Sequence, residues 1–379
     1  MKWRVVKLGA LYEVHNGLSK SRESFGSGFP FLSYSTVFNN FFLPNQLDSL
    51  VRTDDKEQAS YSILKGDVFI TRTSETSNEL GMSCVALNDY PCATYNGFCK
   101  RLRPITEEVY PRYIGYYLRS PEFRSRFDGL GAAMITRASL KNEDLLAMTV
   151  RLPPLPIQQK IADILGAYDD LIENNRRRIE LLEKMARELY RERFVRRAVG
   201  VKEFPLGEIA EFVRGKVIVK TATIPGDVPV VAGGQEPAYY HNDSNTKAPV
   251  VTVSGSGANA GFARMYFEKV WASDCSWVDA AGTKYIRFVY CFLKDNDAVL
   301  RNAQKGAAQP HVHAKDVNAL TVAAEKTVIS GFEESVIPIF DELANLEQQT
   351  RSLVKQRDRL LPRLMSGKID LDKLVKEAE

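Results

Sequence analysis

No run of roughly 18 consecutive apolar residues occurs in this 379-residue chain, so the sequence offers no membrane-spanning helix. The opening Met1-Lys2-Trp3-Arg4-Val5-Val6-Lys7 has early basic residues but no apolar core or small-residue cleavage site behind them, and no secretory leader is expected. Cysteine is scarce. The five present (Cys84, Cys92, Cys99, Cys275, Cys291) are odd in number and form no C-x-x-C pair, which excludes a disulfide framework and a zinc ribbon. They read as buried, reduced thiols, and a cytoplasmic location is expected. Histidine is scarcer still, at four residues. His311-Val312-His313 lacks a third ligand nearby, so no metal is assigned, and His15 and His241 read as incidental. Charge of one sign is also lacking: 51 Lys and Arg against 47 Asp and Glu give a net charge of +4, which permits nucleic acid without arguing for it alone.

Catalytic motifs are missing too. Gly255-Ser256-Gly257-Ala258-Asn259-Ala260-Gly261 is glycine-rich, but its spacing is not G-x-G-x-x-G and no long apolar helix follows. No phosphate loop ending in Gly-Lys-Ser or Gly-Lys-Thr occurs, which excludes a translocating nuclease. The Asn-Pro-Pro-aromatic run of an adenine methyltransferase is absent, as is a cofactor-binding glycine loop. No catalytic residue and no cofactor is assigned.

What the chain does have is length, a core and an internal duplication. With 44% hydrophobic, 26% charged and 10% aromatic residues it reads as soluble and globular, and it is too long for one ordinary domain. The stretch Lys7-Leu8-Gly9-Ala10-Leu11-Tyr12-Glu13-Val14-His15-Asn16-Gly17 recurs as Pro205-Leu206-Gly207-Glu208-Ile209-Ala210-Glu211-Phe212-Val213-Arg214-Gly215, with Leu-Gly and the closing glycine in register. A short helix ending at glycine is expected in both copies. Each copy then runs into apolar strands broken by turn residues, Phe29-Pro30-Phe31-Leu32 and Asp67-Val68-Phe69-Ile70 against Val228-Pro229-Val230-Val231 and Pro249-Val250-Val251-Thr252-Val253. Tyr113-Ile114 through Leu118 answers to Tyr285-Ile286 through Phe292, and Gly131-Ala132-Ala133 to Gly306-Ala307-Ala308. Both halves read as mixed, strand-rich α/β domains.

Each half is followed by a heptad-patterned helix. The first seam runs Ile157, Ile161, Ile164, Tyr168, Leu171, Asn175, Arg178, Leu182, Met185, Leu189. The second runs Phe332, Val336, Ile339, Leu343, Leu346, Thr350, Leu353, Arg357, Leu360, Leu364, at the same alternating steps. One such stripe says only that a helix covers its own domain's core. Two copies in one register argue for a pair. Asn175 and Thr350 hold the same place in the two seams, and a buried polar residue there fixes partner and register, so an antiparallel coiled coil is expected. Pro153-Pro154-Leu155-Pro156 form a rigid approach to the first helix, which is expected to stop near Arg197. At ~1.5 Å per residue its roughly forty residues span about 60 Å. Pro338 and Pro362 are expected to kink the second helix or shorten it by a turn. The fold class is therefore α+β with an internal pseudo-twofold repeat: a domain over residues 1–152, a central helix over 153–200, a second domain over 201–325 and a C-terminal helix over 326–379.

This order, and the helical sequences above all, resemble the specificity subunits of type I restriction-modification systems. The carrying stretches are Leu152-Pro153-Pro154-Leu155-Pro156-Ile157-Gln158-Gln159-Lys160-Ile161-Ala162-Asp163-Ile164-Leu165, then Ile172-Glu173-Asn174-Asn175-Arg176-Arg177-Arg178-Ile179-Glu180-Leu181-Leu182 and Leu189-Tyr190-Arg191-Glu192-Arg193-Phe194. Arg357-Asp358-Arg359-Leu360-Leu361-Pro362-Arg363-Leu364-Met365-Ser366-Gly367-Lys368-Ile369 carries it at the C-terminal end. The second helix departs from the pattern, with Glu333-Glu334-Ser335 in place of the proline-glutamine-glutamine approach. The resemblance covers the whole chain in organisation and the helices in sequence. It implies two target-recognition domains in tandem, each binding one half of a bipartite site in double-stranded DNA. It also implies that the helices set the spacing and dock two methyltransferase (modification) subunits, with restriction or translocase subunits as further candidate partners. On the same ground the chain is non-catalytic, and methylation and cleavage belong to partners.

Reading DNA needs donors and acceptors that reach base edges, together with basic side chains or backbone amides for phosphates. In the first domain the candidates are Ser19, Lys20, Arg22, Ser35, Thr36, Arg72, Thr73, Ser74, Thr76, Asn78, Thr136 and Arg137. In the second they are Arg214, Lys216, Gln235, Ser254, Ser256, Asn259, Gln309, His311 and His313. Ordinary solvated turns carry the same residue types. Position favours the functional reading, because Thr71-Arg72-Thr73 and Thr252-Val253-Ser254 follow matching strands, and Thr136-Arg137 and Gln309-Pro310 follow matching glycine-alanine turns. Half-sites about one helical turn apart, ~34 Å, fall within the reach of such a helix. Its arginines (Arg176, Arg177, Arg178, Arg191, Arg193, Arg196, Arg197) alternate with Glu180, Glu183, Glu188 and Glu192, which reads as a protein-binding face. The rival from another class is a stand-alone two-domain DNA-binding regulator or a coiled-coil scaffold.

Overall fold

The computed structural model describes residues 3–74, 79–127, 138–196, 201–302, 311–369 and 371. The chain divides into two compact units, one formed by Met1–Ile172 with Ser352–Glu379 and the other by Glu173–Arg351.

In the first unit, strand Arg4–Lys7 pairs antiparallel with Thr149–Leu152. A four-stranded sheet follows in the order Tyr12–Asn16, Cys99–Pro104, Val68–Thr71, Ser83–Val85. A three-stranded sheet runs Ser49–Val51, Phe25–Leu32, Thr94–Tyr95, its last pair parallel. The second unit repeats this plan. Glu203–Pro205 pairs with Thr321–Ala323. The four-stranded sheet is Val213–Arg214, Cys275–Asp279, Val250–Ser254, Ala263–Tyr266, and the three-stranded sheet is Tyr239–His241, Val228–Val231, Trp271–Ala272, again with the last pair parallel. Order and direction agree strand for strand, so the duplication is one of topology.

The central strands read as unbroken apolar runs because both of their faces are covered. Alternate residues of Val68–Thr71 enter different cores, Val68 and Ile70 with Tyr113, Ile114 and Leu118 on one side, Phe69 with Cys84 and Cys99 on the other. Val250–Ser254 does the same, with Val251 and Val253 packed beside Phe288 and Val250 beside Tyr266.

The opening repeat does not form the expected short helix. Leu8–Ala10 and Leu206–Glu208 are single 3-10 turns, after which Tyr12–Asn16 and Val213–Arg214 continue as strands. The closing glycines serve close packing, not helix termination. A Cβ on Gly17 would run into the Asn96 carbonyl oxygen, and one on Gly215 into the Ser273 carbonyl oxygen. The glycine-alanine turns at 131–133 and 306–308 lie outside the described residues.

The central helix spans Leu155–Tyr190 and ends in a widened π turn, Arg191–Val195; the C-terminal helix spans Lys326–Met365. Pro338 and Pro362 do not shorten it. Both are exposed, so the carbonyl that each deprives of a partner faces water. Within each unit the two helices run antiparallel. In the first, Arg357 Nη1 donates to Asp169 Oδ1 at 2.7 Å, and Ile161 and Leu165 share a core with Leu361 and Leu364. In the second, Arg178 pairs with Glu342, and the Tyr190 ring lies 6.1 Å from that of Phe332.

The seam itself is displaced in part. Ile161, Asn175, Val336, Ile339, Leu343, Leu346 and Leu364 are buried, and Ile164, Tyr168, Leu182, Thr350, Leu353 and Leu360 are half-buried. Leu171, Met185 and Leu189 are 51%, 52% and 40% exposed, while Ile172, Ala186 and Tyr190 are buried in their stead. An α-helix drifts about 20° per heptad against a strict 3.5 repeat, which carries the covered stripe onto the neighbouring residue.

Four of the five cysteines are buried; Cys92, expected to join them, is exposed in a turn with φ of 59°. Burial pushes the Cys84, Cys99 and Cys275 thiols up to about 12, which keeps them protonated and inert.

Candidate functional site

Strand register and bridging bring part of the sequence candidates, Arg72 and Thr73 in one unit and Arg214, Ser256 and His311 in the other, to the same end of the four-stranded sheet. In the first unit Asn16 pairs with Lys100 and Lys100 with Ile70, so all three side chains share a face. Just beyond, the Arg72 N–H donates to Phe98 O at 2.9 Å, and Arg72 O accepts from the Leu140 N–H at 2.9 Å. Thr73–Ser74 and Ala138–Ser139 form a short ribbon over this edge.

Lys100 is 5% exposed. Its Nζ donates to Asn16 Oδ1 at 3.2 Å and to Asn142 Oδ1, both neutral acceptors, with Asn142 opening the helix Asn142–Ala147. Burial lowers its pKa, and the nearby Arg72 guanidinium lowers it further. Arg72 Nε is buried without a hydrogen-bond partner among the described residues. Among the described residues no carboxylate forms an ion pair with either cation. An uncompensated buried ammonium costs on the order of several kcal/mol, so this arrangement is expensive unless an anion completes it.

In the second unit the matching residues are Arg214 for Asn16, Val253 for Ile70, Gly255 for Arg72 and Ser276 for Lys100. The Gly255 carbonyl accepts from the Val312 N–H at 3.1 Å, as Arg72 O accepts from Leu140, and Ser256 bridges to His311 as Thr73 does to Ser139. Small residues where the first unit has Lys100 and Arg72 leave a cleft of about 650 Å³, lined by Arg214, Ser256, Asp274, Ser276, His311, His313 and Lys315. The two imidazoles lie parallel, 6.1 Å apart. Ser256 donates to the Asp274 carboxylate, and no hydrogen bond among the described residues joins it to an imidazole, so the arrangement is not that of a base-activated nucleophile.

Of the remaining candidates, several are committed elsewhere. Lys20 forms an ion pair with Glu57 at 2.6 Å. Thr36 and Ser35 both bond Ser33, the N-cap of helix Tyr34–Asn39. Ser254 is buried and donates to Gly233 O at 2.8 Å. Gln235 donates to Asn259 Oδ1 at 3.2 Å, and the Lys216 ammonium sits 5.8 Å over the Trp271 ring. Ser19 and Arg22 are exposed. Thr76, Asn78, Thr136, Arg137 and Gln309 lie outside the described residues, and of Ser74 only the backbone is placed. Lys100, Asn142, Asp274 and Ser276 were not foreseen. The basic alternation in Cys99-Lys100-Arg101-Leu102-Arg103-Pro104 was the available signal, but a lysine in a strand usually marks the exposed face.

The family model of the type I restriction modification DNA specificity domain matches residues 1–184. Among curated proteins, the chain is 25% identical to the type I restriction enzyme MjaIX specificity subunit of Methanocaldococcus jannaschii, over 98% of this chain and 94% of that protein. It is 24% identical to the putative MjaX specificity subunit of the same organism, over 62% of this chain and 52% of the relative. Among solved structures, the S subunit of a type I restriction-modification system from M. genitalium shares the fold, with a TM-score of 0.58 at 17% identity over 96% of each chain.

Proposed function

We propose that this chain is a specificity subunit of the type I restriction-modification family and directs a type I complex to a bipartite site in double-stranded DNA, each recognition domain reading one half. The strand-for-strand duplication carries the reading. Two copies of one sheet plan present two sheet ends of different chemistry, as two different half-sites require. Polar and basic groups gathered there supply both kinds of contact, amide and hydroxyl groups for base edges and cations for phosphates.

In this reading the division is residues 1–152 and 201–325 for recognition, with the helices over 153–200 and 326–379 setting the spacing. The exposed ridge Leu181, Met185 and Leu189 of the central helix, with the charged residues beside it, is the surface offered to two modification subunits. Adenine methylation is their chemistry, and cleavage that of any restriction subunit.

Co-expression with a type I modification methyltransferase from the same genome tests this. Genome-wide mapping of methylated adenines should show one bipartite motif, and exchanging residues 1–150 for those of another family member should change one half of it alone. Absence of site-specific methylation would return the chain to the class of stand-alone regulators or scaffolds.

A further inference from the structure

We propose that Arg72, backed by Lys100, holds a backbone phosphate of the DNA at the sheet end of the first recognition domain. The proposal rests on the specificity reading above and assigns this end its ligand chemistry.

Three observations carry it. Two neighbouring cations have no ion-paired carboxylate among the described residues, and the acceptors that Lys100 does have, Asn16 Oδ1 and Asn142 Oδ1, are neutral. The group missing from this shell is an anion. Arg72 also keeps a buried guanidinium Nε without a partner among the described residues, and a guanidinium grips a phosphate through two parallel N–H donors.

The second unit supplies the control. It builds the same sheet end with Gly255 and Ser276 at these two places, so the fold does not require the cations. Lys100 is further disfavoured by its own burial and by Arg72, a strain that a bound phosphate relieves and a neutral base edge relieves less.

The test uses the complex of the full chain with its methyltransferase and a duplex carrying the mapped motif, with affinity followed across salt concentrations. Arg72→Gln should reduce the slope of log affinity against log salt by about 1 and weaken binding evenly across sequences, with the methylated motif unchanged. Arg72→Lys should keep most of the slope while losing the paired grip. Lys100→Gln, which retains a donor for the two asparagines, should reduce the slope in the same direction. An unaltered slope in Arg72→Gln overturns the proposal. So does a relaxed motif in the half read by the first domain, which would put Arg72 on a base edge. A wild-type complex that methylates no bipartite site defeats the specificity reading itself, whatever Arg72 does.

Discussion

The two sheet ends share a backbone plan and differ in what fills it. One is packed with a buried lysine and an arginine; the other is open, with a cleft of about 650 Å³ where those side chains would lie. Strand order, strand direction and the closing glycines are common to both, so nothing in the fold dictates the filling. A position that the fold leaves free is where two copies of one domain can come to recognise different partners. In the proposed reading the scaffold lies in the shared topology, and the recognition chemistry in the few side chains at its edge.

A second matched pair makes the same contrast inside the scaffold, and offers the largest expected effect. Gln158 and Glu333 hold equivalent places in the two seams, one residue after Ile157 and Phe332. Gln158 is fully buried, accepting from the Tyr110 N–H at 2.8 Å and donating to Glu108 O and Pro153 O. Glu333 accepts from the Arg287 and Phe288 N–H groups at 3.2 and 2.8 Å and from Arg287 Nη1 at 3.1 Å. Both pin a long helix to the backbone of its domain, one with a neutral amide and one with a charge. Glu333→Ala strands the Arg287 and Phe288 N–H groups and leaves the Arg287 guanidinium only its longer ion pair with Asp341 at 3.6 Å, and should cost about 3–5 kcal/mol, whereas Gln158→Ala should cost about 1–3 kcal/mol. Hydrogen exchange of the helices Pro111–Arg119 and Ile286–Asp295 reads each unit separately, which a single melting temperature of a two-unit chain does not. Equal losses would remove the distinction.

Periodicity made the scaffold legible. Strands covered on both faces appear as apolar runs and paired helices as heptads, so the repeat, its order and the antiparallel pairing of helices could all be read from apolar spacing. The sheet ends could not, because Lys100 is buried by Asn142, more than forty residues away, and no local pattern announces that contact. The expected seam holds along the second helix and at Ile161, Asn175 and Leu182 of the first, and is one residue astray at Leu171, Met185 and Leu189, since a pattern of threes and fours fits either of two adjacent stripes. That difference is measurable within one turn. Ile172→Ala should destabilise the first unit by about 2–5 kcal/mol, and Leu171→Gln should stay within about 0.5 kcal/mol. A larger loss at Leu171 would restore the seam to the residue that strict heptads choose.

The smallest effect separates two glycines that backbone geometry makes equivalent. The Gly81 N–H donates to Thr71 O at 3.1 Å and the Gly261 N–H to Ser254 O at 2.9 Å, each at the turn that follows the central strand. Both have positive φ, 71° and 87°, so alanine pays the same left-handed strain in either place, about 1–2 kcal/mol. Their surroundings differ. A Cβ on Gly81 would enter the Phe127 ring, which is itself fully buried and stacked edge-on against Phe123 at 5.7 Å, so it has nowhere to swing. A Cβ on Gly261 would meet the Leu300 carbonyl at 3.2 Å, a contact relieved by a shift of a few tenths of an ångström. Gly81→Ala should therefore cost about 1–3 kcal/mol more than Gly261→Ala, seen as faster exchange of the amides in Val68–Thr71 than in Val250–Ser254. If the two variants lose equally, backbone conformation alone governs these turns, and the two units are alike in packing as well as in topology.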